Sequence, residues 1–232
     1  MATLRFIRKA AVIGFTLLLS IGFSESTPSD TQSAIETLDS NTIEDFDFGI
    51  PTVHSLGSAD APLVLIEFSD YHCAHCSLFH EMVFPNVLSQ YIDTGKVFYV
   101  ALHFPSKKYP IASTAAEAAY CAGEQGRFWE MRELLFANSL FLSEDEITEI
   151  ARGLAIHMGD YEDCMRSGAY RELVAAEKRC GQNSGVTVTP SFILAQKQGQ
   201  HADNGRVIKG LLKWSKFEAE ILEMLKIADE NP

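Results

Sequence analysis

Two cysteines three positions apart, Cys73 and Cys76, with His75 between them, are the residues of this 232-residue chain best placed to do chemistry. They follow Leu63-Val-Leu-Ile-Glu67-Phe-Ser69, an apolar run with β-branched residues that reads as a buried strand. Beyond them, Leu78, Phe79, Met82, Val83, Val87 and Leu88 recur at helical spacing. The pattern predicts strand, turn and a long helix to about Tyr91, with Cys73 at the helix N-terminus and Cys76 one turn inside. Unpaired N–H groups and the helix dipole favour negative charge at that position, so Cys73 is expected to ionise more readily than a free thiol. His75 is expected to assist as a donor, or as a positive charge when protonated. Glu67 puts a carboxyl group in an otherwise apolar strand, which is costly unless the group is used or paired.

Cys-x-x-Cys alone serves zinc sites, haem attachment and redox dithiols. Haem attachment wants histidine directly after the second cysteine, where this chain has Ser77. A structural zinc site wants a second ligand pair, and Cys121, Cys164 and Cys180 are single and widely spaced. His72, His75 and His80 leave a copper- or zinc-binding reading open beside the two cysteines. The position after a buried strand and at a helix start favours a redox dithiol, and no metal or cofactor is assigned.

The elements that must position this pair follow from the rest of the chain. The formal net charge of -12 makes nucleic acid an unsuitable partner. Arg5, Arg8 and Lys9, the apolar stretch Ala10 to Phe23 and the spacing Ser24-x-Ser26 make residues 1–26 read as a secretory signal, with an uncleaved membrane anchor as the alternative. An exported chain meets an oxidising compartment, periplasmic or otherwise extracytoplasmic. Residues 27–44 read as a flexible linker, and Asp45 to His54 as an edge strand or two short ones. Lys96 to His103 is a second buried strand, so residues 45–105 hold a βαβ unit with a parallel pair.

Residues 106–184 are helical in pattern: an alanine-rich helix from Ile111, then Arg127 to Asn138 with Phe128, Met131, Leu134 and Leu135 on one face. A capping box at Ser143 to Glu146 opens a helix to about Ile156, and two further helices follow. Within 185–228, the runs 190–195 and 205–209 read as an antiparallel hairpin and Leu211 to Ile227 as an amphipathic helix, leaving 229–232 as a tail.

Glu67 with Cys73-Ala-His75-Cys76, the block Cys121-Ala-Gly-Glu-Gln-Gly-Arg-Phe-Trp-Glu-Met131 and the later Val188-Thr189-Pro190-Ser191-Phe192 resemble the DsbA-like thiol–disulfide oxidoreductases, from about Asp45 to Lys226. The resemblance implies an α/β thioredoxin fold interrupted by an inserted α-helical domain. It implies that Pro190 is a cis-proline beside the dithiol, and that Thr189 offers backbone groups to a bound peptide. It implies that Glu67, six residues before Cys73, handles the proton of the inner cysteine. A second disulfide in the helical block, Cys121–Cys164, is implied in the same way, with Cys180 left as a buried thiol. The expected activity is dithiol oxidation by a monomer through Cys73–Cys76. Its partners would be reduced secreted proteins that are unfolded or folding, and a DsbB-type membrane reoxidase. A disulfide isomerase or reductase is the nearest alternative.

Overall fold

The computed structural model describes residues 54–198 and 201–230. The signal, the linker and the strand region up to residue 53 lie outside them. Five strands form one sheet: β1 (His54–Leu56), β2 (Leu63–Ser69), β3 (Val97–His103), β4 (Ser191–Gln198) and β5 (His201–Lys209), in the spatial order β1-β3-β2-β4-β5. β2 and β3 pair in parallel, and the other pairs are antiparallel. Every residue of β2 and β3 is buried, as expected of parallel strands covered on both faces.

The crossover between them is not one long helix. α1 (Ala74–Met82) stops at Val83, a short α2 (Phe84–Val87) follows, and Leu88–Ile92 forms a π-helical turn. Pro85 is the reason: it has no N–H to donate into the preceding turn, so the chain restarts with proline in the first turn of the new helix.

Between β3 and β4 lie α3 (Pro110–Gly123), α4 (Phe128–Ala137), α5 (Glu144–Gly153), α6 (Met158–Ser167) and α7 (Arg171–Asn183). Buried Ala112, Ala115, Ala116, Ala118, Ala119 and Ala122 let α3 pack closely at the centre of this block. A disulfide joins Cys121 of α3 to Cys164 of α6. Ser143 caps α5, its hydroxyl accepting from the Glu146 N–H at 3.1 Å. That helix ends at Gly153, short of the expected Ile156. In α4 the expected apolar face is turned slightly: Leu134 is exposed, and the charged Arg132 is buried with Phe128, Met131, Leu135 and Phe136.

α8 (Trp214–Glu230) closes one face of the sheet through Phe217, Ile221 and Met224, with Phe217 against Phe79 and Phe192. It starts later than the apolar pattern suggests and runs through Asp229 and Glu230, which were expected in the tail. Leu225, Ile227 and Ala228 pack against the core and carry the helix on. The C-terminal end of α7 covers the opposite face. Gly181 makes that possible, because a Cβ there would lie 2.8 Å from the Phe104 ring and 2.9 Å from Phe68. Among the described residues no helix is long and apolar enough to cross a membrane.

Candidate active site

Cys73 is the N-cap of α1 and Cys76 lies in its first turn. The Cys73 carbonyl accepts from the N–H groups of Cys76 at 3.0 Å and Ser77 at 3.1 Å. The two thiols differ sharply in setting: Cys73 is half-buried, whereas Cys76 is fully enclosed. The loop before them is held by Asp70, whose carboxylate accepts from the N–H groups of His72 and Ser106, each at 2.8 Å. Opposite, the Thr189–Pro190 peptide bond is cis, and the Thr189 carbonyl oxygen lies 3.5 Å from the Cys73 sulfur. The Gly210 N–H and the Ser191 hydroxyl fix that loop through the carbonyls of Pro190 and Val188, at 2.8 and 2.7 Å.

These surroundings separate the two thiols chemically. A hydrogen bond from Cys76 is the largest influence lowering the Cys73 thiol to about 5; burial opposes it, and the Thr189 side chain and the N–H groups of Cys76 and His75 add to it. Cys76 moves the other way, well above an ordinary thiol, chiefly through burial, then through its bond to Cys73 and the Cys73 charge, with Glu67 adding to the rise. One sulfur is prepared to be a thiolate and the other to stay protonated. Alkylation of the reduced protein is therefore expected to follow a Cys73 titration near pH 5, against about 8.5 for a free thiol, with Cys76 unreactive. Mass mapping of the alkylated peptides against pH checks this, and a midpoint above pH 7 would refute it. The same depression stabilises the reduced fold. That contribution is complete above the ordinary thiol value of 9.0 and is lost as pH falls through about 5.

The histidines do not converge. His75 is exposed, and its backbone N–H is among the groups that favour the Cys73 thiolate. His72 packs edge-on to Tyr109, and His80 turns inward. Among the described residues no three His, Cys, Asp or Glu side chains are arranged to hold a metal ion.

Glu67 is fully buried and its two oxygens are occupied. Oε1 lies 2.9 Å from His80 Nε2 and 3.0 Å from Arg132 Nη2, and Oε2 accepts from the Tyr99 hydroxyl at 2.5 Å. Burial alone would raise this carboxyl group, but the opposing pull of His80 and Arg132, with hydrogen bonds from His80 and Tyr99, brings it down to about 2. A carboxyl group paired in this way is a buried charge held between α1, β3 and α4. His80 Nε2 is also 3.1 Å from Arg132 Nη2. A guanidinium only donates and a carboxylate only accepts, so Nε2 carries a hydrogen toward Glu67 while Nη2 donates to Glu67 and to Tyr99 at 2.9 Å.

A second buried cluster flanks the pair. The Tyr71 hydroxyl lies 3.0 Å from His103 Nε2, and Glu177 Oε2 accepts from His103 Nδ1 at 2.8 Å and from the His103 N–H at 3.0 Å. The Tyr120 hydroxyl donates to Glu177 Oε1. Arg132 touches both clusters, its guanidinium 5.8 Å from the centre of the Tyr71 ring. Sequence reasoning missed Arg132, Glu177, His103 and Tyr71. Cys180 was expected to be buried and is only half-buried, beside the second face of the sheet.

A Cys-x-x-Cys at the start of the helix after a central strand, a cis-proline loop facing it and helices inserted after β3 define the thioredoxin fold in its DsbA-like form. A family profile described as Thioredoxin matches residues 50–213, and the chain belongs to that family. Disulfide bond formation protein D of Bacillus subtilis is 24% identical over 179 residues, 74% of this chain and 76% of that protein. The crystal structure of α-DsbA1 of Wolbachia pipientis is 25% identical with a TM-score of 0.67, covering 77% of this chain and 94% of that one. A stretch of Na(+)/H(+) antiporter NhaA 3 of Salinispora tropica is 33% identical over 144 residues, 61% of this chain. The match spans only 21% of that antiporter's length.

Proposed function

We propose that this protein is an extracytoplasmic protein-disulfide oxidase working through Cys73 and Cys76. The observation that carries the reading is the contrast between a half-exposed, readily ionised Cys73 and an enclosed, protonated Cys76. Starting from the Cys73–Cys76 disulfide, a substrate thiolate attacks the Cys73 sulfur; a substrate–Cys73 bond forms and Cys76 leaves, taking a proton. A second substrate thiolate attacks the substrate sulfur of that mixed disulfide. The substrate gains a disulfide, and Cys73 leaves as a thiolate with the pair reduced by two electrons. A stable Cys73 thiolate is a good leaving group and makes the disulfide oxidising.

The Thr189 carbonyl beside Cys73 is the backbone group we assign to an extended substrate, with Pro190 shaping the loop that presents it. The substrates are reduced exported proteins, and the two electrons pass to a membrane reoxidase of the DsbB type. Residues 1–26 supply the export signal, and the protein acts as a monomer. The name of the Bacillus subtilis relative supports disulfide formation over reduction.

Equilibration of the Cys73–Cys76 pair with a glutathione series, read by thiol trapping and mass, tests the direction. A potential well above about -270 mV, the thioredoxin value, is expected for an oxidase. A potential near or below it would make the protein a reductase.

A further inference from the structure

The cation that neutralises Glu67 does not come from the sheet. Arg132 is delivered by α4 of the inserted block, and it is buried with 2% of its surface exposed. Its Nη2 reaches Glu67 at 3.0 Å and the Tyr99 hydroxyl at 2.9 Å, and its Nη1 lies 3.4 Å from the Ser69 hydroxyl. Its guanidinium also lies over the Phe136 ring at 4.9 Å. The groups facing Glu67 are thus His80 from α1, Tyr99 from β3 and Arg132 from α4. Burial and Arg132 itself both disfavour a charged His80, while Glu67 favours one; the net direction is downward. Arg132 is then the permanent positive charge at the site. Cys76 lies one turn before His80 on α1, and the His80 ring is 2.9 Å from Glu67, so the carboxylate acts on the Cys76 thiol from the same side of the helix and favours its protonated form.

We propose that Arg132 is a positioning residue for the dithiol: it holds Glu67 as a constant carboxylate against His80, one turn along α1 from Cys76, so the seating of the helical insertion contributes to the redox balance of the pair. The inference rests on the reading of Cys73–Cys76 as an exchanging pair. Without the guanidinium, Glu67 keeps its burial and loses its permanently charged partner. Its proton uptake moves toward the working pH range, and Cys76 faces a charge that varies with pH.

The test is the pH dependence of the Cys73–Cys76 equilibrium with glutathione in wild type, Arg132→Gln, Arg132→Lys, Glu67→Gln and the double variant Glu67→Gln/Arg132→Gln. The Arg132→Gln curve is expected to acquire an inflection between about pH 5 and 8 and to diverge from wild type by about three- to tenfold across it. Arg132→Lys restores the wild-type shape, and the double variant, with no carboxyl group left to titrate, loses the inflection. An Arg132→Gln curve parallel to wild type overturns the proposal, as does an inflection that survives in the double variant. Should Arg132→Gln not fold, Glu67→Gln and the double variant carry the test, since neither buries a lone carboxylate. Their curves are expected to run parallel, and a bend that appears on losing Arg132 there overturns the proposal. The measurement needs equilibrium and not turnover, so a protein that fails to oxidise a reduced peptide sinks the oxidase reading while leaving this test intact.

Discussion

Replacing Cys73 with serine is expected to abolish disulfide transfer to a reduced peptide, while Cys76→Ser leaves an enzyme that captures its partner and cannot let go. The loss in Cys73→Ser should be on the order of 10³-fold or more, the scale on which removal of a nucleophile acts. The two outcomes differ because the two sulfurs differ in access. Cys73 is half-buried at the helix start and lies 3.5 Å from the Thr189 carbonyl, where an incoming sulfur can reach it. Cys76 is enclosed and its thiol is pushed up by burial, so the proposed mechanism gives it internal work: it closes the disulfide and expels the partner. In Cys76→Ser the Cys73 thiolate still attacks a disulfide, but no second sulfur resolves the adduct. Mass spectrometry after exposure to oxidised glutathione or a disulfide peptide should show a one-to-one adduct on Cys73. Normal peptide oxidation by either variant would remove the proposed mechanism.

The second large effect is expected chiefly on the stability of the fold. Glu177→Ala should destabilise the fold by about 3–5 kcal/mol, because it strands several buried donors at once. The His103 N–H, His103 Nδ1 and the Tyr120 hydroxyl all point at this carboxyl group, which has no exposed surface. Tyr71→Phe, which removes only the hydroxyl facing His103, should cost about 1 kcal/mol. Denaturant unfolding of the two variants under identical redox conditions gives both numbers. A Glu177→Ala loss below 1 kcal/mol would mean that the cluster is replaceable by water. The position of Tyr71, two residues before Cys73, means that the loosened variant should also exchange disulfides more slowly.

The dithiol was legible in the sequence because all its determinants are contiguous: an apolar strand, a turn, two cysteines and a helical repeat. Glu67 was legible as an anomaly, a carboxyl group inside an apolar strand, but its partners were not. Arg132 lies four residues from both Phe128 and Phe136, in the middle of the apolar stripe of α4. That spacing is a readable signal of a buried charge, and assigning Leu134 to the stripe concealed it. Glu177 sits in a run of charged residues on α7 that gives no hint which one turns inward. His103 ends an apolar strand much as Glu67 interrupts one. Pairing across 74 residues of sequence separation is a property of packing and not of local pattern. The break at Val83 was foreshadowed by Pro85, which the apolar periodicity outweighed.

The two buried clusters run in opposite senses. In one the sheet holds the acid, Glu67, and the inserted helices bring the base, Arg132; in the other the sheet holds His103 and the inserted helices bring Glu177. This crossed arrangement bears on ancestry and on chimeras. A helical block transplanted from a relative would have to arrive with a cation at position 132 and an acid at position 177, or leave two uncompensated groups in the interior. Drift at either position is therefore expected to be inherited in pairs, and the inserted block is less interchangeable than its place between two strands suggests.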